Sequence, residues 1–168
     1  MGYRNKTYLI FDGDKDMWAY AYMKGWNSHD HMDFDFYDAH DIRPLTDRAM
    51  DETIRARLRQ RLSNTKQAIV LIGELTRYHH KFVRWELETC LNQRVPIVAV
   101  NLNGHRRLDL DRCPPILRDE YVVHVPLKMK IIRHALDHFP VQYANRDHMA
   151  RGPLIYGDAL YQQLGLLD

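Results

Sequence analysis

Three carboxylates stand at alternate positions in Asp12-Gly13-Asp14-Lys15-Asp16, directly after the apolar run Tyr8-Leu9-Ile10-Phe11. Acids this close suit a metal, a phosphoryl-transfer centre or a pocket for a polar ligand. They equally suit a solvated turn whose aspartates cap the next helix. Both readings stay open here, but spacing narrows the first. An EF-hand would begin D-x-D-x-D-G, and Met17 replaces its glycine while Met23 takes the place of its bidentate acid. A magnesium-dependent phosphatase with Asp12 as nucleophile needs D-x-D-x-T; Asp16 replaces the threonine, and no downstream acidic pair for magnesium stands out. A phospho-receiver needs an aspartate ending its third strand, where this chain has Gly73-Glu74. His79 and His80 are adjacent, so in a helix their side chains diverge by roughly 100°. They read as a polar helix entry, and no metal site is expected.

A second candidate lies in Lys81-Phe82-Val83-Arg84-Trp85-Glu86-Leu87-Glu88-Thr89-Cys90-Leu91. Val83, Leu87, Cys90 and Leu91 are spaced as the buried stripe of a helix. Glu86 falls about 80° from the stripe centre, between Phe82 and Cys90, and Glu88 about 120° away, toward solvent. The spacing therefore places Glu86 at the boundary of the core. There, partial desolvation would raise its pKa and suit it to hold sugar hydroxyls or manage a proton. The plainer alternative is a boundary glutamate paired with Arg84.

The elements around these residues follow from hydrophobic pattern. Tyr8–Phe11 is a short buried strand. Met17–Gly25 has a helical period, and Asp33–Tyr37 alternates like a half-buried or edge strand. Thr46 and Asp47 can cap a helix with Met50, Ile54, Leu58 and Leu62 on one face and arginines, including Arg48, Arg55 and Arg59, on the others. Ala68–Ile72 and Pro96–Val100 are continuous apolar runs, as strands buried on both faces of a parallel sheet require. A long polar connection, Asn101–Arg118, precedes a last strand at Tyr121–Val125 and a helix at Lys128–Phe139. Five strands alternating with helices predict an open α/β sheet, flavodoxin-like, in the order 2-1-3-4-5 with helices on both faces. Residues 1–140 form the α/β domain, and 141–168 read as a C-terminal extension packed on it: an extended segment, then a short helix. Ligands of such sheets bind beyond the carboxyl ends of the strands. This singles out Asp12, Asp14, Asp38, His40 and Gly73.

Composition removes several classes. The 24 basic and 22 acidic residues leave a net charge of +2, too balanced for a typical nucleic-acid binder. No apolar run approaches the roughly 18 residues of a membrane span. The N-terminus shows no signal-peptide pattern. Cys90 and Cys113 suit two reduced thiols in a cytoplasmic protein.

The strand Tyr8–Phe11 with its Asp-rich loop, the strand Ala68–Ile72 ending in Gly73, and the helix Lys81–Glu86 together resemble the TIR-like family. In particular they resemble bacterial TIR-like proteins of the Thoeris antiphage type, over roughly residues 7–140. Enzymatic TIR domains carry tryptophan four residues before the helix glutamate; here that residue is Phe82, with Trp85 nearby. The resemblance implies a flavodoxin-like fold that cleaves the nicotinamide–ribose bond of NAD as substrate, without a further cofactor. It assigns the catalytic carboxylate to Glu86. It assigns contacts with the nicotinamide ribose to Phe11, Asp12 and Gly13, and associates Phe82 and Trp85 with the site. It also implies an ADP-ribose-derived cyclic nucleotide signal read by a nucleotide-sensing effector, self-association in the active state and a phage-derived trigger. The other class left open is a non-catalytic TIR-like interaction module.

Overall fold

The computed structural model describes residues 6–29, 36–38, 51–78 and 81–167, of which 27–29 and 36–38 are described in backbone only. Within them, β1 (Thr7–Ile10), β2 (Phe36–Asp38), β3 (Gln67–Ile72), β4 (Ile97–Asn101), β5 (Val123–Pro126) and β6 (Leu154–Ile155) form one sheet in the order β2-β1-β3-β4-β5-β6. Every pairing is parallel. Helices α1 (Met17–His29), α2 (Asp51–Ser63), α3 (Phe82–Asn92), α4 (Met129–Asn145) and α5 (Asp158–Gln163) surround it. The fold is flavodoxin-like α/β.

All residues of β1, β3, β4 and β5 are buried. Because side chains alternate across a strand, each strand feeds two cores. Tyr8, Ile10, Ala68, Val70, Ile97 and Ala99 pack with Ile54, Leu58 and Leu62 of α2 and Val83, Leu87 and Cys90 of α3. Leu9, Phe11, Ile69, Leu71, Val98 and Val123 pack with Ala19 and Met23 of α1 and Ile132, Leu136 and Phe139 of α4. Both thiols are free and buried. Among the described residues no helix is long and apolar enough to cross a membrane.

The second strand is described at Phe36–Asp38, overlapping the alternation at Asp33–Tyr37, of which residues 33–35 lie outside the described residues. Two expectations change. The last major helix does not stop before Pro140 but runs through it to Asn145. Pro140 cannot donate to the Leu136 carbonyl, a loss of roughly 3 kcal/mol in an unsupported helix. The added turn is held by aromatic packing: Tyr143 meets Phe139 at 5.9 Å and Tyr121 at 6.4 Å, with the Arg146 guanidinium 3.6 Å from its centroid. The sheet also has a sixth strand, β6, paired with β5 through Val123–Leu154 and His124–Ile155. The short α5 behind it would not persist alone. It is anchored by Tyr161, which is buried beneath the Arg106 guanidinium, and by the 2.6 Å contact of Arg106 with Asp158. The expected caps Thr46 and Asp47, together with Met50 and Arg48, lie outside the described residues.

His124 on β5 is fully buried, and neither ring nitrogen has a hydrogen-bond partner among the described residues. Burial pushes its pKa down to about 4. Below pH 6.5 the unfolded chain takes up a proton that the folded chain refuses until about pH 4, so this contribution is complete above the unfolded pKa and lost as pH falls. Urea unfolding at pH 7, 5 and 4 should show the wild type losing about 3 kcal/mol more than His124→Phe across that window. Equal losses in the two proteins would refute this.

Candidate functional site

The carboxyl ends of β1, β3 and β4 open into a cleft of about 470 Å³. The β1–α1 loop contributes Lys15 and Asp16, and the first turn of α1 contributes Trp18. Gly73, Glu74 and Leu75 follow β3, Leu102 follows β4, and Arg112 comes from the connection to β5. β1 connects to β2 on one side while β3 lies on the other, so the cleft sits where the strand order reverses, the usual ligand position in such sheets.

The acidic loop is folded as a self-capping turn. Asp12 is buried and its Oδ1 accepts the Asp14 N–H at 2.9 Å, while its carbonyl accepts the Asp16 N–H at 2.8 Å. Asp14 is exposed. Asp16 is buried, and its Oδ2 accepts from the Thr76 hydroxyl at 3.4 Å; the same hydroxyl accepts the Gly73 N–H at 2.8 Å. A Cβ at Gly73 would stand 2.3 Å from both Asp16 carboxylate oxygens. Glycine is thus required for the floor of the cleft, because the carboxylate occupies the space of its missing side chain. Thr76 was not singled out by sequence reading; a threonine three residues after a strand-ending glycine was the available signal.

Glu86 sits elsewhere. It is 2% exposed, buried and not at the core boundary, and its Oε1 accepts the Tyr8 hydroxyl at 2.9 Å. The wheel angle alone leaves that flank open; in the fold the side chain is buried and meets Tyr8 of β1. Burial, then the charge of Glu86, holds the Tyr8 phenol well above its ordinary pKa, so it remains a neutral donor to the carboxylate. Burial and the same charge push the Cys90 thiol up as well. Arg84 does not pair with Glu86; its Nε donates to Glu88 at 2.8 Å on the surface.

Among the described residues, Gly73 is the one expected contact residue that lines the cleft; Asp12 braces its loop. Phe11 lies in the α1–α4 core, stacked on Tyr20 at 5.1 Å. Its place in the strand alternation, one residue beyond Ile10, sends it to that face. Phe82 and Trp85 meet edge to face at 5.7 Å. Trp85 is buried in the α2–α3 seam beneath the Arg55 guanidinium, 4.5 Å from its ring, and Lys81 joins the helices through Asp51 at 3.1 Å. Gly13 is half-buried in the turn. His40, His79 and His80 lie outside the described residues, as does the side chain of Asp38.

The Asp16–Gly73–Thr76 arrangement makes a quantitative expectation. Gly73→Ala must displace the Asp16 carboxylate and should cost about 1–3 kcal/mol. An Asp16→Ala background removes the three closest atoms that this methyl meets, so the two losses should be strongly sub-additive in urea unfolding. Additive losses would show that the steric contact is not the cause.

Comparison with known proteins assigns residues 8–107 to the family model described as Thoeris protein ThsB, TIR-like domain. This span runs from Tyr8 through β1, the acidic loop, β3 and the Glu86 helix to the connection after β4. No curated protein matches the chain. The matched region is more than half of the sequence and contains both the Tyr8–Glu86 pair and the walls of the cleft up to Leu102, so the chain belongs to the Thoeris ThsB TIR-like domain family.

Proposed function

We propose that this TIR-like protein cleaves the nicotinamide–ribose bond of NAD and releases an ADP-ribose-derived, cyclic nucleotide that signals to a separate effector in antiphage defence. The observation that carries the reading is Glu86, a buried carboxylate on the helix that follows β3, oriented by the Tyr8 hydroxyl and lying within the matched family span. Nicotinamide leaves as a neutral molecule from a cationic precursor, so its departure needs no general acid. The site must instead stabilise an oxocarbenium-like ribosyl centre and hold its hydroxyls, and a desolvated carboxylate does both. Tyr8 sets the orientation of that carboxylate and keeps it from collapsing onto other donors. Water as acceptor yields ADP-ribose; the adenosine end of the same molecule yields a cyclic product.

At 2% exposure, Glu86 is closed to a substrate. The reading therefore includes a conformational step: self-association, or a phage-derived trigger, opens the Glu86 turn of α3 to the substrate. The partner subunit then excludes water from the ribosyl centre, favouring cyclisation over hydrolysis.

Nicotinamide release measured over a wide protein concentration range, with particle size followed in parallel, tests the reading. Activity per subunit should rise steeply with association and persist in EDTA. Glu86→Gln should lower it more than about 100-fold while the protein stays folded, and Glu88→Gln should leave it near wild type. Full activity in folded Glu86→Gln would sink the assignment. A folded wild type that releases no nicotinamide at any association state or with phage extract would leave the interaction-module reading, and a magnesium requirement with hydrolysis of simple phosphate esters would favour the phosphatase one.

A further inference from the structure

The cleft at the strand-order reversal contains chemistry that the Glu86 site does not use. Trp18 is 55% exposed on its rim, whereas Trp26 and Trp85 are 8% and 7% exposed. Lys15 and Arg112 line the same cleft, and neither side-chain cation has an acidic partner among the described residues. The position of Arg112 is built, not incidental. Asp109 Oδ1 accepts the N–H groups of Asp111 and Arg112 at 2.9 and 3.2 Å, and its Oδ2 accepts Asn103 Nδ2 at 2.7 Å. Burial alone would raise the Asp109 pKa, but these bonds and the nearby His105 outweigh it and hold the carboxyl low. Arg77 Nη1 ties the same turn to the segment after β3 by donating to the Asp111 carbonyl at 2.6 Å. The opposite wall is fixed by Asp16 seated against Gly73. A flat indole, two unpaired cations and a volume of about 470 Å³ between fixed walls match an aromatic base joined to phosphate.

We infer that this cleft binds the ADP half of the dinucleotide, with Trp18 stacking on the base and Lys15 and Arg112 holding the diphosphate. The inference rests on NAD being the substrate for the identity of the ligand. It adds Trp18, Lys15 and Arg112 as substrate-positioning residues. It also lays the dinucleotide across the ends of β1 and β3, the strands adjoining the Tyr8–Glu86 pair.

As the exposed tryptophan, Trp18 makes intrinsic fluorescence a direct readout. ADP and ADP-ribose should quench it saturably, and the same ligands should give no saturable signal with Trp18→Ala. By calorimetry, Lys15→Gln and Arg112→Gln should each weaken ADP at least about tenfold while leaving the weaker binding of adenosine unchanged. Glu86→Gln should bind ADP as the wild type does, because Glu86 lies outside the cleft. In turnover, ADP should compete with NAD for nicotinamide release. Wild type that cleaves NAD but binds no ADP, or is inhibited by ADP non-competitively, would overturn this inference and leave the cleavage reading intact. Saturable ADP binding lost in Arg112→Gln, in a protein that never cleaves NAD, would keep the nucleotide site and overturn cleavage.

Discussion

Burial of the central strands on both faces is the constraint from which the rest of the molecule follows. With β1, β3, β4 and β5 enclosed along their whole length, no polar side chain can leave the sheet sideways into water. Polar chemistry is confined to two places. One is the carboxyl ends of the strands, where the chain turns back through Asp12–Asp16, Gly73–Thr76 and Asn101–Arg112. The other is the core itself, where a polar group must arrive with a partner. The cleft and the Tyr8–Glu86 pair are these two solutions, one on each side of the same constraint.

The pair shows what the second solution demands. An ionised carboxylate moved into an apolar interior loses hydration worth far more than a single hydrogen bond restores, so its position is tolerated only with donors and neighbours that suit it. Tyr8 supplies a donor from β1, and burial keeps that donor protonated. His124 is the contrasting case: a buried ring with neither nitrogen hydrogen-bonded among the described residues, kept neutral by its surroundings.

The cleft is built by the first solution. Its walls are short loops, yet each is tied down: Asp12 caps its own turn, Asp16 fills the space that Gly73 leaves, and Asp109 gathers three donors around the turn that carries Arg112. Fixed loops on a rigid sheet present Lys15, Trp18 and Arg112 toward one space without spending their charges on one another. The functional groups are thereby left available, while the groups that hold them are internally satisfied.

Much of this was legible without coordinates, because strand and helix patterns are set by neighbours close in sequence. The continuous runs Ala68–Ile72 and Pro96–Val100 could only be strands buried on both faces, and the Val83–Leu87–Cys90 stripe could only be a helix lying on them. The resemblance in the Glu86 segment likewise lies within one short stretch of chain. What tertiary structure decided is whatever depends on a residue distant in sequence. A helical wheel places Glu86 near the edge of the core, but in the fold it is buried, and its hydrogen-bond donor is Tyr8, 78 residues away. Phe11 reads as the end of a short buried strand, but that its ring enters the α1–α4 core and stacks on Tyr20 is set by packing between elements. Pro140 reads as a stop until Tyr121 and Phe139 supply the packing that carries α4 past it. Lys15, Trp18 and Arg112 are unremarkable in sequence, and only the strand order brings them to one cleft. Local periodicity determines which elements form; which flanks close, and which side chains meet, is a property of the assembled sheet, because burial is shared among elements that the sequence does not place side by side.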